Sequence, residues 1–337
     1  MKKIFTLAGL SLATLFVSCN DGDIVYKDIN FDQVTNVEYC NNGQLDPRIY
    51  FKINKDEALI LQINAKDIMR DETIKEQNVQ IDGSNTALEY RKYSGKVEGR
   101  SICNTPPPAF PNVLQQIPAT PGGLVNIRRD VSIKNTQATD YTKENTVALT
   151  YQYTFTLLNI SFIQGDISMK YDRMLFGTTN YANRVFDFKF LTASNKLKEL
   201  NPCGEKLLVL SDKEAMQLNL KTADLPKEEG TITFDLNDAR TLTFKQYQKT
   251  GINSTQVCEN DGNIPGLNGA SPNILEEQWI AKAGKVVINS KWTEPIEGGT
   301  KYLQHEITIQ NSAFVKKGVD YLTFYKNILP FGTIRTL

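Results

Sequence analysis

Val147-Ala148-Leu149-Thr150-Tyr151-Gln152-Tyr153-Thr154-Phe155-Thr156-Leu157 is the stretch whose reading decides the fold. Apolar and aromatic residues occupy every second position, and small or polar residues fill the gaps. A period of two places one set of side chains on one face of an extended chain and the other set on the opposite face. The stretch is therefore a strand with one apolar face. Leu303 to Ile309 alternates in the same way. Further strand pairs flank short polar turns. Arg48–Ile53 and Ala58–Ile63 flank Asn54-Lys55-Asp56-Glu57, and Lys206–Leu210 and Met216–Leu220 repeat that pattern. Thr231–Leu236 and Thr241–Phe244 flank Asn237-Asp238-Ala239-Arg240, which reads as another hairpin. No long helical pattern appears, and Lys66–Lys75 holds at most a turn or two of helix. Short strands with frequent turns predict an all-β protein of the sandwich type, immunoglobulin-like in its layering.

The chain also matches itself. Cys103 and Cys258 lie 155 positions apart, as do Phe176-Gly177-Thr178 and Phe331-Gly332-Thr333. Between them Pro111-Asn112-Val113-Leu114, Gly123, Val125 and Ile127 recur as Pro272-Asn273-Ile274-Leu275, Gly284, Val286 and Ile288. Tyr90-Arg91-Lys92-Tyr93 mirrors Phe244-Lys245-Gln246-Tyr247, and Glu57-Ala58-Leu59 mirrors Glu214-Ala215-Met216. Such matches in one order indicate an internal duplication, with modules over 24–181 and 182–337. No Ser- or Gly-rich linker separates them, so the modules are expected to abut.

After residue 19 four cysteines remain, Cys40, Cys103, Cys203 and Cys258. An even count in an exported chain argues for disulfides, and four cysteines allow three connectivities. The duplication pairs Cys40 with Cys203 and Cys103 with Cys258, giving two cysteines to each copy. The economical pairing is Cys40–Cys103 and Cys203–Cys258, with bonds between the copies as the alternative. Each bridge fastens a long loop at its base. In copy one the loop is Asn104–Gly123, rich in Pro, and in copy two it is Glu259–Gly284. The Pro-Asn-[Val/Ile]-Leu part reads as an extended sheet edge, where Pro is tolerated. The competing reading is a recognition loop, with Phe110 as a candidate contact.

The first residues read as an export signal. Lys2 and Lys3 precede an apolar run, Ile4–Val17, that is too short to span a bilayer. The run ends at Phe16-Val17-Ser18-Cys19, which resembles the lipobox of signal peptidase II substrates, with Phe16 where Leu is commoner. The resemblance implies a signal peptide over 1–18, a diacylated Cys19 and a tether over 19–23. Asn20-Asp21-Gly22-Asp23 resembles the short acidic export signal of Bacteroidota lipoproteins, implying the outer membrane and its outer face. The periplasmic face is the alternative. Taken together, the lipobox, acidic stretch and cysteine-bounded β modules resemble a family of lipoproteins of flavobacteria and relatives. That resemblance implies localisation and fold, and brings no activity with it.

Charge gives no sign of a polyanion partner: 38 basic residues balance 38 acidic ones. Nucleic-acid binding normally shows a basic field, so that class is excluded. The single histidine, His305, is in phase with Leu303 and Ile307 and aligns with Tyr153, so a core position is expected. One His and four bridged cysteines supply no zinc site, no catalytic-triad motif is present, and no cofactor is implied. Asp166 and Asp320 read as turn residues beside glycines. Glu259-Asn260-Asp261-Gly262-Asn263 is rich in oxygen but lacks a calcium loop's alternating acids. Trp279 and Trp292 occur only in copy two. Trp279, in the variable loop, is the candidate exposed ligand platform, whereas Trp292 is expected to pack. The sequence thus predicts a membrane-anchored, non-catalytic binding or assembly module for a protein or glycan. A hydrolase of surface polysaccharide or peptide is the competing class.

Overall fold

The computed structural model describes residues 28–40, 48–64, 73–266, 270–294 and 299–337. Cys19, the signal segment, the tether and residues 66–72 of the expected helical turn lie outside them. Copy one contains β1 (Glu38–Tyr39), β2 (Arg48–Asn54), β3 (Glu57–Ile63), β4 (Glu76–Gln80) and β5 (Ala87–Tyr93). Then follow the short helix α1 (Gly99–Cys103), β6 (Val113–Pro118), β7 (Leu124–Asn135), β8 (Val147–Gln164) and β9 (Ile167–Phe186). Copy two contains β10 (Asn201–Cys203), β11 (Lys206–Ser211), β12 (Glu214–Leu218), β13 (Gly230–Asp235) and β14 (Leu242–Tyr247). It ends with helix α2 (Ser254–Glu259) and the long strands β15 (Leu275–Trp292), β16 (Leu303–Lys316) and β17 (Val319–Thr336).

The molecule is all-β, as the alternation predicts. Copy one packs a sheet of order β1-β2-β3-β5-β6 against one of order β4-β7-β8-β9. The order differs from the ABED-over-CFG arrangement of immunoglobulin constant domains. Tyr50, Leu59, Leu61 and Tyr90 from the first sheet meet Val125, Ile127, Phe155 and Phe162 from the second in one buried core. Copy two repeats this with one change. Its β15 pairs with β14 along its first half and with β13 along its second, joining both layers into one eight-stranded sheet. In copy one β6 and β7 share that work. Register shows where the copies differ. Tyr93 faces Val113 and Tyr247 faces Leu275, each beside a bulge, whereas Val79–Val125 matches Phe234–Val286. Val113 thus takes the place of Leu275, one residue off the ungapped sequence match. The offset is absorbed at 119–123, between β6 and β7.

Two expectations need correction. Thr231–Leu236 and Thr241–Phe244 do not form a hairpin. Strand β13 pairs only with β15, while β14 pairs with β12 and β15 in the opposite layer. The turn between them is an arch. Asn237 Oδ1 accepts the Ala239 and Arg240 amides, and buried Leu236 carries the chain through the core. The long loops are also shorter than expected, because β6 starts at Val113 and β15 at Leu275.

Each copy carries a second, smaller core on the outer face of its first sheet. Phe51, Ala58, Ile60, Tyr93 and Val97 build it in copy one, with Leu208, Ala215, Tyr247, Val257 and Ile264 in copy two. This explains why β3 and β12 are buried on both faces. Helices α1 and α2 cover these cores, and each holds one cysteine of a bridge. The bridges are Cys40–Cys103 and Cys203–Cys258, with Cα separations of 5.3 Å and 5.6 Å. The pairing is the one the duplication predicts.

The repeated Phe-Gly-Thr marks a crossing. Asn36 makes a parallel bridge to Thr178, and Glu199 makes one to Thr333. A Cβ on Gly177 would lie 2.5 Å from the Thr35 carbonyl oxygen, and one on Gly332 2.3 Å from Leu200 Cδ2. Only glycine lets the entering chain lie so close to the last strand.

The modules do abut, and β9 runs unbroken across the 181/182 boundary. Beyond it Phe186, Phe188 and Phe190 enter the core of copy two, together with Val147, Leu149 and Tyr151 of copy one. The 136–146 connection also docks on β17. Asn135 Nδ2 and Gln137 Nε2 donate to the Tyr325 carbonyl, and Asn145 Nδ2 donates to that of Ile328.

Candidate interaction surfaces

The polar groups of the interior are structural. Fully buried His305 lies opposite Ser290, as Tyr153 lies opposite Arg129. Its Nδ1 is 2.8 Å from Ser290 Oγ and its Nε2 2.9 Å from Thr336 Oγ1, and burial holds its pKa below the ordinary value. Glu277 and Lys316 form a buried ion pair of 2.9 Å. Lys316 Nζ donates to the Tyr151 hydroxyl at 2.8 Å, and Trp279 Nε1 donates to Glu277 Oε2 at 3.1 Å. This cluster ties β8 of copy one to β15 and β16 of copy two. A buried pair of this kind fixes geometry more than it adds stability. Glu214 takes the amides of Asp187 (2.9 Å) and Phe188 (3.2 Å), and so holds the chain that leaves β9. Burial raises its carboxyl to about 7.

Among the described residues no group of three or more His, Cys, Asp or Glu is placed to hold a metal. Within Glu259–Asn263, Asp261 pairs with Lys245 at 3.2 Å, so that segment closes a turn over a buried lysine. Asp166 follows Gly165 in a turn, whereas Asp320 is not the turn residue expected of it: it lies two residues past Gly318, within β17; Gly165 and Gly318 have positive φ angles of 59° and 80°.

The tryptophans are placed opposite to expectation. Trp279 is not a ligand platform: it is wholly buried, 4.8 Å from Phe324 by ring centroids, with its indole N–H taken by Glu277. Glu277, Trp279 and Ala281 share the inward phase of β15, a period of two that the charged neighbours and the bulge before Glu277 obscure. Trp292 is 38% exposed at the end of β15, with the Lys301 ammonium 5.5 Å from its ring. Phe110 is 67% exposed on the Pro-containing loop.

Both copies carry a surface hollow at the same end of their first sheets. Register makes Lys206 equivalent to Ile49 and Asn219 to Gln62, and an Asx turn borders each hollow. Asp82 Oδ1 accepts the amides of Ser84, Asn85 and Thr86, which holds its carboxyl well below the usual range. Asn237 does the same work in copy two. The linings have diverged. In copy one the hollow, about 330 Å³, is walled by Ile49, Ile60 and Ile102, with Glu89 and Arg91 at its side. In copy two, about 280 Å³, it is walled by Lys206, Asn219, Lys221, Asp224 and Arg240. The sequence reading missed both hollows because each is assembled from strand ends far apart in the chain.

Comparison with protein-family models, curated proteins and solved structures brings no significant match.

Proposed function

We propose that this chain is a lipoprotein of the cell envelope, anchored in the outer membrane through a diacylated Cys19 and displayed at the cell surface. Its described part serves as a non-catalytic binding or assembly module for a protein or glycan. The lipobox-like Phe16-Val17-Ser18-Cys19 and the acidic residues after it support the anchor.

One observation carries the binding role. The two copies keep the same bridge, helix, bulge and Asx turn, while the hollows beside those features differ in lining. Frame and surface have thus diverged separately. The copy-two hollow offers amide, ammonium, guanidinium and carboxylate groups within one concavity, a set suited to the hydroxyls of a sugar. Its size is near the lower limit for ligand pockets.

A glycan array and a protein pull-down on the mature chain test this reading. A retained ligand should lose about tenfold in affinity, ~1.4 kcal/mol, in the Asn219→Ala or Arg240→Ala variant. Turnover of polysaccharide or peptide by the mature chain, or a ligand indifferent to both substitutions, would contradict it.

A further inference from the structure

We propose that the corner of copy one formed by Phe110, Val113, Leu114 and Ile163 rests on the bilayer that holds the lipid anchor. The inference depends on the reading of Cys19 as lipidated.

The corner is apolar and open. Phe110 and Leu114 are each 67% exposed, Val113 is 45% exposed and Ile163 is 54% exposed. Gln115 Nε2 donates to Gln164 Oε1 at 2.6 Å, which brings Leu114 on β6 and Ile163 on β8 to one place. The loop is held in advance of any contact. Cys103 is bridged at one end. At the other, the Ser94 amide donates to the Asn112 carbonyl and the Asn112 amide to Ser94 Oγ. Phe110 lies over Gly95, where a Cβ would meet its ring at 2.9 Å.

The chain enters copy one at this end. The Ile29 amide donates to the Tyr171 hydroxyl at 2.9 Å; Tyr171 pairs with Ile160 and packs edge-on against Phe162, the neighbour of Ile163. From Ile160 to Ile163 along a strand is about 10 Å. The nine steps from Cys19 to Asp28 span at most about 30 Å. The opposite end of β8, at Val147, is about 43 Å from Ile160 at the usual strand rise. A tether of that length reaches from the membrane to the Ile163 end and is shorter than the strand that separates this end from the other.

Copy two shows what this corner does. There Leu275 and Val315 stand where copy one has Val113 and Ile163, and Glu276 stands where it has Leu114. Glu276 pairs with Arg184 of β9 at 3.2 Å, and Glu277 and Lys316, in the places of Gln115 and Gln164, meet Tyr151 of β8. In copy two this end is therefore covered by copy one, the body that precedes it in the chain. In copy one the same end is open, and the body that precedes it is the anchored lipid. Aromatic and aliphatic side chains lying a few ångströms into the headgroup zone are the usual lipid-facing set.

The test uses the full lipidated chain in phosphatidylethanolamine–phosphatidylglycerol vesicles with brominated acyl chains. Phe110→Trp and Tyr325→Trp are each placed in a Trp292→Phe background; Tyr325 is 62% exposed on copy two. With the emission of buried Trp279, measured in Trp292→Phe alone, subtracted, emission from the Phe110→Trp site should fall by about half or more relative to unbrominated vesicles, as expected for a side chain at the acyl boundary. The Tyr325→Trp protein should be unaffected. Equal, weak quenching of both would overturn the proposal. Shielding of the Phe110→Trp site from aqueous acrylamide without bromolipid quenching would also overturn it, in favour of a protein or a second copy on the corner. Mass spectrometry and sedimentation of wild type and Cys19→Ala separate the two failures. A chain without the diacylglyceryl mass overturns the anchor as well, whereas a lipidated but unquenched chain overturns only the docking.

Discussion

Glu214 shows how much a single group can reveal about the junction. Its carboxyl is buried, yet it holds the amides of Asp187 and Phe188 where β9 leaves copy one. With its folded pKa raised to about 7 from 4.5, the folded state keeps a proton that the unfolded state has lost between those values. The contribution of this group is therefore fully present below about pH 4.5 and falls as pH rises toward 7. Denaturant titrations of wild type and Glu214→Gln should show the difference shifting in favour of the variant by a few kcal/mol across that window and levelling above it. A difference that stays flat from pH 4.5 to 7 would show that the carboxylate is charged throughout. The same scale shows where sequence reading stops. His305 is placed correctly by its phase with Leu303 and Ile307. Trp279 is misplaced because Glu276, Gln278 and Lys282 give its surroundings the composition of a loop. A buried glutamate beside it, taking the indole N–H, cannot be read from spacing alone.

At the level of elements, period two and self-similarity make most strands legible. Three features are not. Helices α1 and α2 are 5 and 6 residues long, too short to show a helical period, and their stability comes from the bridges and small cores beneath them. The Asn237 turn looks like a hairpin because turn chemistry is the same whether the chain returns within a sheet or crosses between layers. The repeated Phe-Gly-Thr is visible as a repeat, but its cause, a strand crossing, is not. That cause makes a prediction. Gly332→Ala sets a Cβ against Leu200 and the Lys198 carbonyl, at 2.3 Å and 2.8 Å. The Glu199–Thr333 bridge must then part, and stability should drop by about 1–3 kcal/mol, as for other overpacked sites. Gly318→Ala, where no atom lies within 4 Å of the added Cβ, separates backbone strain from crowding. An unchanged stability in Gly332→Ala, whose φ is not positive, would mean that the crossing is not what requires glycine.

At the scale of the whole molecule, the sequence shows two copies and cannot show how firmly they join. The structure joins them through one core. Phe186, Phe188 and Phe190 pack among Phe244, Trp279, Phe314 and Phe324, with ring centroids as close as 4.6 Å between Phe188 and Phe244. The buried Tyr151–Glu277–Lys316 cluster adds a fixed register. A pair joined in this way shares one core and one buried polar cluster, so the two copies are held in a fixed relation. The most direct measurement of this account is calorimetry of the mature chain beside its Cys203→Ser/Cys258→Ser variant. That bridge closes a separation of 55 residues, and its loss should cost about 2–5 kcal/mol. One transition is predicted for both proteins, with calorimetric and van't Hoff enthalpies that agree, lowered as a whole in the variant. Two transitions, with only the copy-two one lowered, would contradict the shared core and make the copies independent domains.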